Sequence, residues 1–294
     1  MGSHMTWEPL HPFGCSIEAD LSSPLSSEQQ SELRFLFERH LLLRFRGQQI
    51  SPDDQVRAMD YLGSVLRFNN GRDYEYVSNL RADGKLGSDA ISWHCDMQFS
   101  PLPFEALSLY ATVVPNGKTS TRFASGARAY EELTEHQREM ARGLEALNVF
   151  ASEFAGRNRL TRLSPHAPSS IHPVVRNHIV TGVPYLFASW QQTDSIVGVG
   201  EEESDQILDQ LFTVLYHEDN IVEHRWSEGD LVIWDNQSLQ HARGDVANVG
   251  ERTLRKVIIA QKSLMDMYPE FTGQSSDQMR QATARSGPLR TSRT

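Results

Sequence analysis

Alternation of apolar and polar residues dominates the middle and end of this chain, while helical spacing is confined to a few segments. Leu33, Leu36 and Phe37 recur at helical intervals behind Ser26 or Ser27, with Gln29 or Gln30 three residues on, a pattern that predicts a capped helix. Residues 40–46 read as a buried strand stopped by Gly47. Ser51-Pro52 opens a second helix that runs to about Leu62, with Ser as N-cap and Pro at the first helical position. Residues 201–217 form the strongest helical pattern, acidic at the start, with Ile207, Leu208, Leu211, Phe212 and Leu215 on one face. Two shorter helices are expected after Ser125-Gly126 and over residues 135–145. Strands are expected at 74–80, 91–99, 106–114, 119–124, 221–226, 230–235 and 254–261, with a hairpin over 174–188 turning at Thr181-Gly182.

Strands therefore outnumber helices, and they do not alternate with them as β-α-β units would. No Gly-x-Gly-x-x-Gly invites a dinucleotide. The pattern predicts a mainly β protein with flanking helices, in which two sheets form the core. Residues 6–264 read as one domain. Residues 65–92 and 151–170 are expected to be loops near a site, the second a long mobile one rich in Arg, Ser, Pro and Asn. Residues 265–294 are poor in apolar residues and read as a polar tail. Residues 1–5 read as a vector-derived cleavage scar and take no part in the functional reading.

Charge narrows the partners. Among 294 residues the net charge is −10, which argues against nucleic acid or an anionic membrane. No apolar run reaches the ~18 residues of a membrane span, and no signal-peptide core appears, so a soluble, cytoplasmic protein is expected. Cys15 and Cys95 are the only cysteines, too few for a disulfide framework or a thiolate zinc site.

The candidate chemistry starts in residues 91–99. Read as a strand, this stretch puts His94 and Asp96 on one face and Trp93, Cys95 and Met97 on the other. An imidazole and a carboxylate so placed can hold one metal ion. Downstream, residues 231–235 read as a strand that enters an Asn236-centred turn, and His241 emerges just beyond it. Two histidines and one carboxylate on one side of a metal leave the opposite positions open for dioxygen and a bidentate co-substrate. Those donors suit Fe(II), and Mn(II), Co(II) or Ni(II) as well. Arg252, eleven residues after His241, carries a guanidinium fork suited to a carboxylate. Thr121 can offer its hydroxyl to the same group.

On Trp93-His94-Cys95-Asp96, residues 121–125, residues 172–176, Trp234-Asp235-Asn236 leading to His241, and Arg252, the chain resembles the taurine dioxygenase/TfdA-like family of iron(II)- and 2-oxoglutarate-dependent oxygenases. The resemblance covers most of residues 25–262. It implies a double-stranded β-helix (a cupin-like jelly roll), with His94, Asp96 and His241 as iron ligands and Thr121 and Arg252 on the distal carboxylate of 2-oxoglutarate. It also implies O2 as co-substrate, succinate and CO2 as by-products, and oxidation of an unactivated C–H bond of a small molecule, most simply hydroxylation. Desaturation or ring formation uses the same cofactors. A jelly-roll protein that binds metal and carboxylate without chemistry is the alternative from another class.

Substrate contacts are less well marked. Asn79, Met97 and Lys256 are the candidates. Lys256 shares a strand face with Arg252 and Leu254, whereas Arg255 takes the other face. With Arg122 and the arginines of 151–170, Lys256 hints at an anionic group on a substrate that includes natural-product intermediates among its possible classes. Trp93 and Trp234 read as packing residues, and His172 as a strand-entry residue. Oligomerisation is left open.

Overall fold

Two sheets face one another across the core. The larger has eight strands, ordered Thr6–Pro9, Cys15–Glu18, Leu42–Phe45, Leu231–Asp235, Ala106–Val113, Thr253–Ile259, Glu75–Ser78 and Gly84–Leu86. The smaller has four, ordered Ile221–Arg225, Ser120–Ser125, Leu239–Arg243 and Ile91–His94. The computed structural model describes residues 4–68, 71–272, 274 and 276–284. The leading residues 1–3 and the trailing 285–294 lie outside that set, and with them parts of the expected scar and tail.

The central strands of the large sheet are buried on both sides, and alternation decides which residue goes where. In Leu231–Asp235, Val232 and Trp234 point between the sheets, against Leu107, Leu109, Phe123 and Ile258. Leu231 and Ile233 point outward, beneath Leu33, Leu36 and Met59 of the two N-terminal helices. Those helices are Ser27–His40 and Pro52–Asp60; Ser26 and Ser51 each close a reciprocal cap with the third helical residue, as the sequence predicts. This double-stranded β-helix carries a further layer. The long helix Glu201–Leu215 lays Leu208, Leu211, Phe212 and Leu215 on Ala129, Tyr130, Ala146 and Leu186.

Several elements differ from expectation. The helix expected over 135–145 ends at Arg142, and Glu145–Val149 forms the centre of a three-stranded sheet with Ser169–Pro173 and Thr193–Ile196. The expected loop 151–170 has structure of its own: a 3-10 turn at Leu160–Arg162 and the start of a strand at Ser169. Part of the expected polar tail also folds. Leu264–Met267, Pro269–Phe271 and Ser276–Thr283 are helical, and Phe271 and Met279 are buried in the core between the sheets.

Candidate active site

The strand that was expected to run through residues 91–99 ends at His94. Cys95 to Met97 turn out of it, and Met97 takes a left-handed backbone (φ 64°) that costs a non-glycine residue roughly 1–2 kcal/mol. His94 and Asp96 therefore converge through a turn rather than through strand alternation. The Nε2 of His94 lies 3.3 Å from Asp96 Oδ1. His241 joins them from the neighbouring strand, where it sits directly opposite His94, with Nε2 3.7 Å from the same oxygen. Cys95 points away into a small cluster with Ala127, Tyr185 and Phe187.

Three donor atoms on His94, Asp96 and His241 lie within 4.8 Å of one another. Ligands about 2.1 Å from one ion and at right angles to each other are about 3 Å apart, so the pairs that meet at Asp96 Oδ1 fit a facial metal site. The tautomer fits as well. His94 Nδ1 is 2.8 Å from the carbonyl of Ser92, which assigns the proton to Nδ1 and leaves the Nε2 lone pair for a metal.

The electrostatics keep this trio ready for a cation. Burial opposes the charge on Asp96, but the nearby ammonium of Lys256 leads the influences that outweigh it, and the carboxyl lies well below the usual range. Burial, reinforced by His94, pushes His241 down to about 3, so it is neutral at physiological pH.

A small inner cavity of about 40 Å³ adjoins the trio and is lined by Thr121, Trp234, Arg243 and Arg252 as well. Arg252 is 1% exposed, and its Nε and Nη1 have no partner among the described residues. Burial and then the charge of Arg243 lower it to about 9, still cationic at neutral pH. Thr121 is buried on the facing sheet and its hydroxyl accepts from Trp226 Nε1 at 3.0 Å, which leaves its own proton to donate.

The outer cavity, about 480 Å³, shares His94, Asp96, Lys256, Leu86 and Ile91 with the inner one. Five phenylalanines line it: Phe68, Phe99, Phe104, Phe150 and Phe154. Leu66, Glu75 and Lys85 come from the 65–92 stretch, whereas Leu264, Met265, Met279 and Arg280 come from the C-terminal helices.

Of the three expected substrate contacts, Met97 and Lys256 line this cavity and Asn79 does not. Asn79 instead accepts from the Arg252 backbone N–H at 2.9 Å and donates to the carbonyls of Val246 and Gly250. It shapes the segment that delivers Arg252. Lys256 is engaged already, 3.5 Å from Glu75 and 3.6 Å from Asp96 Oδ2. The other cations suspected of anion binding are elsewhere: Arg122 is exposed over Trp93, and Arg157 and Arg159 pair with Asp205. His172 is buried against the Ser100 carbonyl. Arg243 was missed, although its place two residues after His241 puts it on the same strand face.

A family model described as "Taurine catabolism dioxygenase TauD, TfdA family" matches residues 6–258. The chain belongs to this family. The TauD/TfdA assignment agrees with its curated relatives. An (S)-phenoxypropionate/alpha-ketoglutarate-dioxygenase from Delftia acidovorans is 28% identical over 230 residues, covering 69% of this chain and 76% of the relative. An alpha-ketoglutarate-dependent sulfate ester dioxygenase from Pseudomonas putida is 29% identical over 272 residues, 85% of this chain and 89% of the relative. In fold, the chain matches a solved taurine dioxygenase from Burkholderia xenovorans with a TM-score of 0.75 at 23% identity, over 87% of this chain and 90% of that one. The protein is thus a dioxygenase that depends on alpha-ketoglutarate (2-oxoglutarate), with Fe(II) as its metal and O2 as the other co-substrate. Among the described residues no helix is long and apolar enough to cross a membrane.

Proposed function

We propose that this TauD/TfdA dioxygenase hydroxylates an aliphatic C–H bond of a small molecule with an aryl or bulky apolar body and an anionic group. The observation that carries this reading is the pair of adjoining cavities that meet at His94 and Asp96: a small inner one lined by the unpartnered guanidinium of Arg252, and a larger outer one lined by five phenylalanines together with Lys85 and Lys256. His94, Asp96 and His241 are the iron ligands in this reading. Arg252 and Thr121 hold the distal carboxylate of 2-oxoglutarate. The bound iron, with 2-oxoglutarate and O2, supplies the oxidising power and releases succinate and CO2.

The chain's own residues do the positioning. The guanidinium of Arg252 gives two parallel donors to a carboxylate, and its burial makes each worth more than in water. The five phenylalanines exclude water and hold an apolar body by area, at about 25 cal/mol per Å² buried. Lys85 and Lys256 offer charge to an anionic substituent. Relatives named for phenoxypropionate and sulfate esters support this substrate class.

The test is substrate-dependent succinate release over a panel of aryloxy acids, sulfate esters, sulfonates and amino acids, with products identified by mass spectrometry. A hydroxylated product from an anionic aryl or alkyl member, lost in both His94→Ala and Asp96→Ala, is the expected result. Turnover retained in both variants, or turnover confined to cationic substrates, overturns the reading. A desaturated product would replace hydroxylation as the outcome.

A further inference from the structure

Arg243 is a buried cation that the proposed function leaves without a task. It ends the strand Leu239–Arg243, it is 7% exposed, and it lines the inner cavity with Arg252 and Thr121. One of its nitrogens is fully used. Nη2 donates to the carbonyls of Leu86 (3.0 Å), Gly87 (3.1 Å) and Asp89 (2.7 Å), which brace a left-handed turn at Leu86-Gly87. Its Nε and Nη1, however, are buried with no partner among the described residues, as are Nε and Nη1 of Arg252.

Two buried guanidiniums thus line one small cavity, each with two unmade hydrogen bonds and neither in an ion pair among the described residues. Burying one unpaired charge costs several kcal/mol, and two like charges add repulsion. An anion between them removes both costs, and each guanidinium has a free N–H to give it a charge-assisted hydrogen bond. We propose that Arg243 is a second guanidinium for the distal carboxylate of 2-oxoglutarate, which therefore sits between Arg243 and Arg252. This rests on the reading that Arg252 receives that carboxylate. Arg243 is then a determinant of co-substrate choice: it favours a dicarboxylic 2-oxo acid over one that ends in a methyl group. Through Nη2 it also ties the co-substrate to residues 86–89, beside the outer cavity.

The experiment measures affinity without turnover. Mn(II)-loaded protein, kept anaerobic, is titrated with 2-oxoglutarate and, separately, with 2-oxopentanoate, which has the same chain but no distal carboxylate. Calorimetry reads both. Arg243→Met is expected to weaken 2-oxoglutarate by about 10–100-fold, the range for a lost charge-assisted hydrogen bond, and to leave 2-oxopentanoate within about twofold of the parent chain. Arg243→Lys keeps the charge and should fall between; if Arg243→Met does not fold, a loss for 2-oxoglutarate alone in Arg243→Lys supports the proposal in its place. Unchanged 2-oxoglutarate affinity overturns the proposal. So does an equal loss for both acids, the signature of a residue that only braces residues 86–89. Arg252→Met separates the two levels: if it also leaves 2-oxoglutarate binding intact, the proposed co-substrate site itself fails, whereas a loss there beside a normal Arg243→Met removes only the second guanidinium.

Discussion

Asn236 grips the peptide of Asp96 from both sides: its Oδ1 accepts from the Asp96 N–H at 2.9 Å, and its Nδ2 donates to the Asp96 carbonyl at 2.9 Å. Nδ2 also reaches the carbonyl of Phe104. A fully buried amide in the turn after one sheet strand thereby fixes the turn that carries the proposed carboxylate ligand on the other sheet. Asn236→Ala strands those groups in the interior and should cost about 2–4 kcal/mol. The same change should weaken metal binding at least tenfold, because Asp96 loses its fixed backbone. Denaturant melts with and without Mn(II) check both; a variant with normal metal affinity would show that Asp96 holds its place unaided.

The pH dependence of the metal-free protein follows from His241. Its pKa falls from 6.5 to about 3 on folding. Below about 6.5 the unfolded chain binds a proton that the folded chain refuses until near 3, so this contribution is fully present above 6.5 and is lost as the pH falls through that window. By pH 5 the loss is up to about 2 kcal/mol. Urea midpoints of chelator-treated protein at pH 7 and pH 5, compared with His241→Asn, isolate this residue from the others that titrate. An equal drop in both proteins would mean that His241 is not held neutral.

Glu75 competes with the proposed substrate anion for the charge of Lys256. Burial opposes the ammonium of Lys256, but Asp96 and Glu75 raise its pKa above the ordinary value, so it stays charged. Lys256→Met should raise KM for an anionic substrate by about tenfold. Glu75→Gln should lower it, because it removes the carboxylate 3.5 Å from the ammonium. Steady-state kinetics on the best acid from the panel settle the direction, and a rise in KM with Glu75→Gln would count against Lys256 as the anion's partner.

Phe271 offers a test of the C-terminal wall. It is 4% exposed and packs on Phe150, which lines the outer cavity. Phe271→Ala should destabilise by about 3 kcal/mol and raise substrate KM, while 2-oxoglutarate affinity stays within about twofold. A parallel loss of 2-oxoglutarate binding would show that the wall supports the inner cavity too.

The sequence made most of the core legible, because half-buried strands leave a period of two, strands buried on both faces leave a continuous apolar run, and capped helices leave Ser-x-x-Gln or Ser-x-x-Asp signatures. It was less informative where tertiary contacts overrule local pattern. Residues 145–149 follow directly on the helix Glu135–Arg142, and five residues with Asn148 among them are too short a run to announce a central strand. Asn79 looks like a pocket residue by its strand position, yet its amide is spent on the backbone of Val246, Gly250 and Arg252. The candidate ligand trio was recognisable as a set of residue types, but the turn at Met97 that brings two of them together is visible only in three dimensions. Arg243 was within reach of simple alternation from His241; its importance rests on unmade hydrogen bonds, which no sequence displays.

The family match ends at residue 258, yet part of the outer cavity's wall is built from Leu264, Met265, Met279 and Arg280. The candidate ligand trio and the inner cavity lie wholly within the matched span. Recognition and reaction are therefore partly written on different stretches of chain, joined at Ile259. Exchanging the terminal segment for that of another family member would redraw one side of the binding chamber without altering a single ligand, a modular route to new substrates on unchanged chemistry.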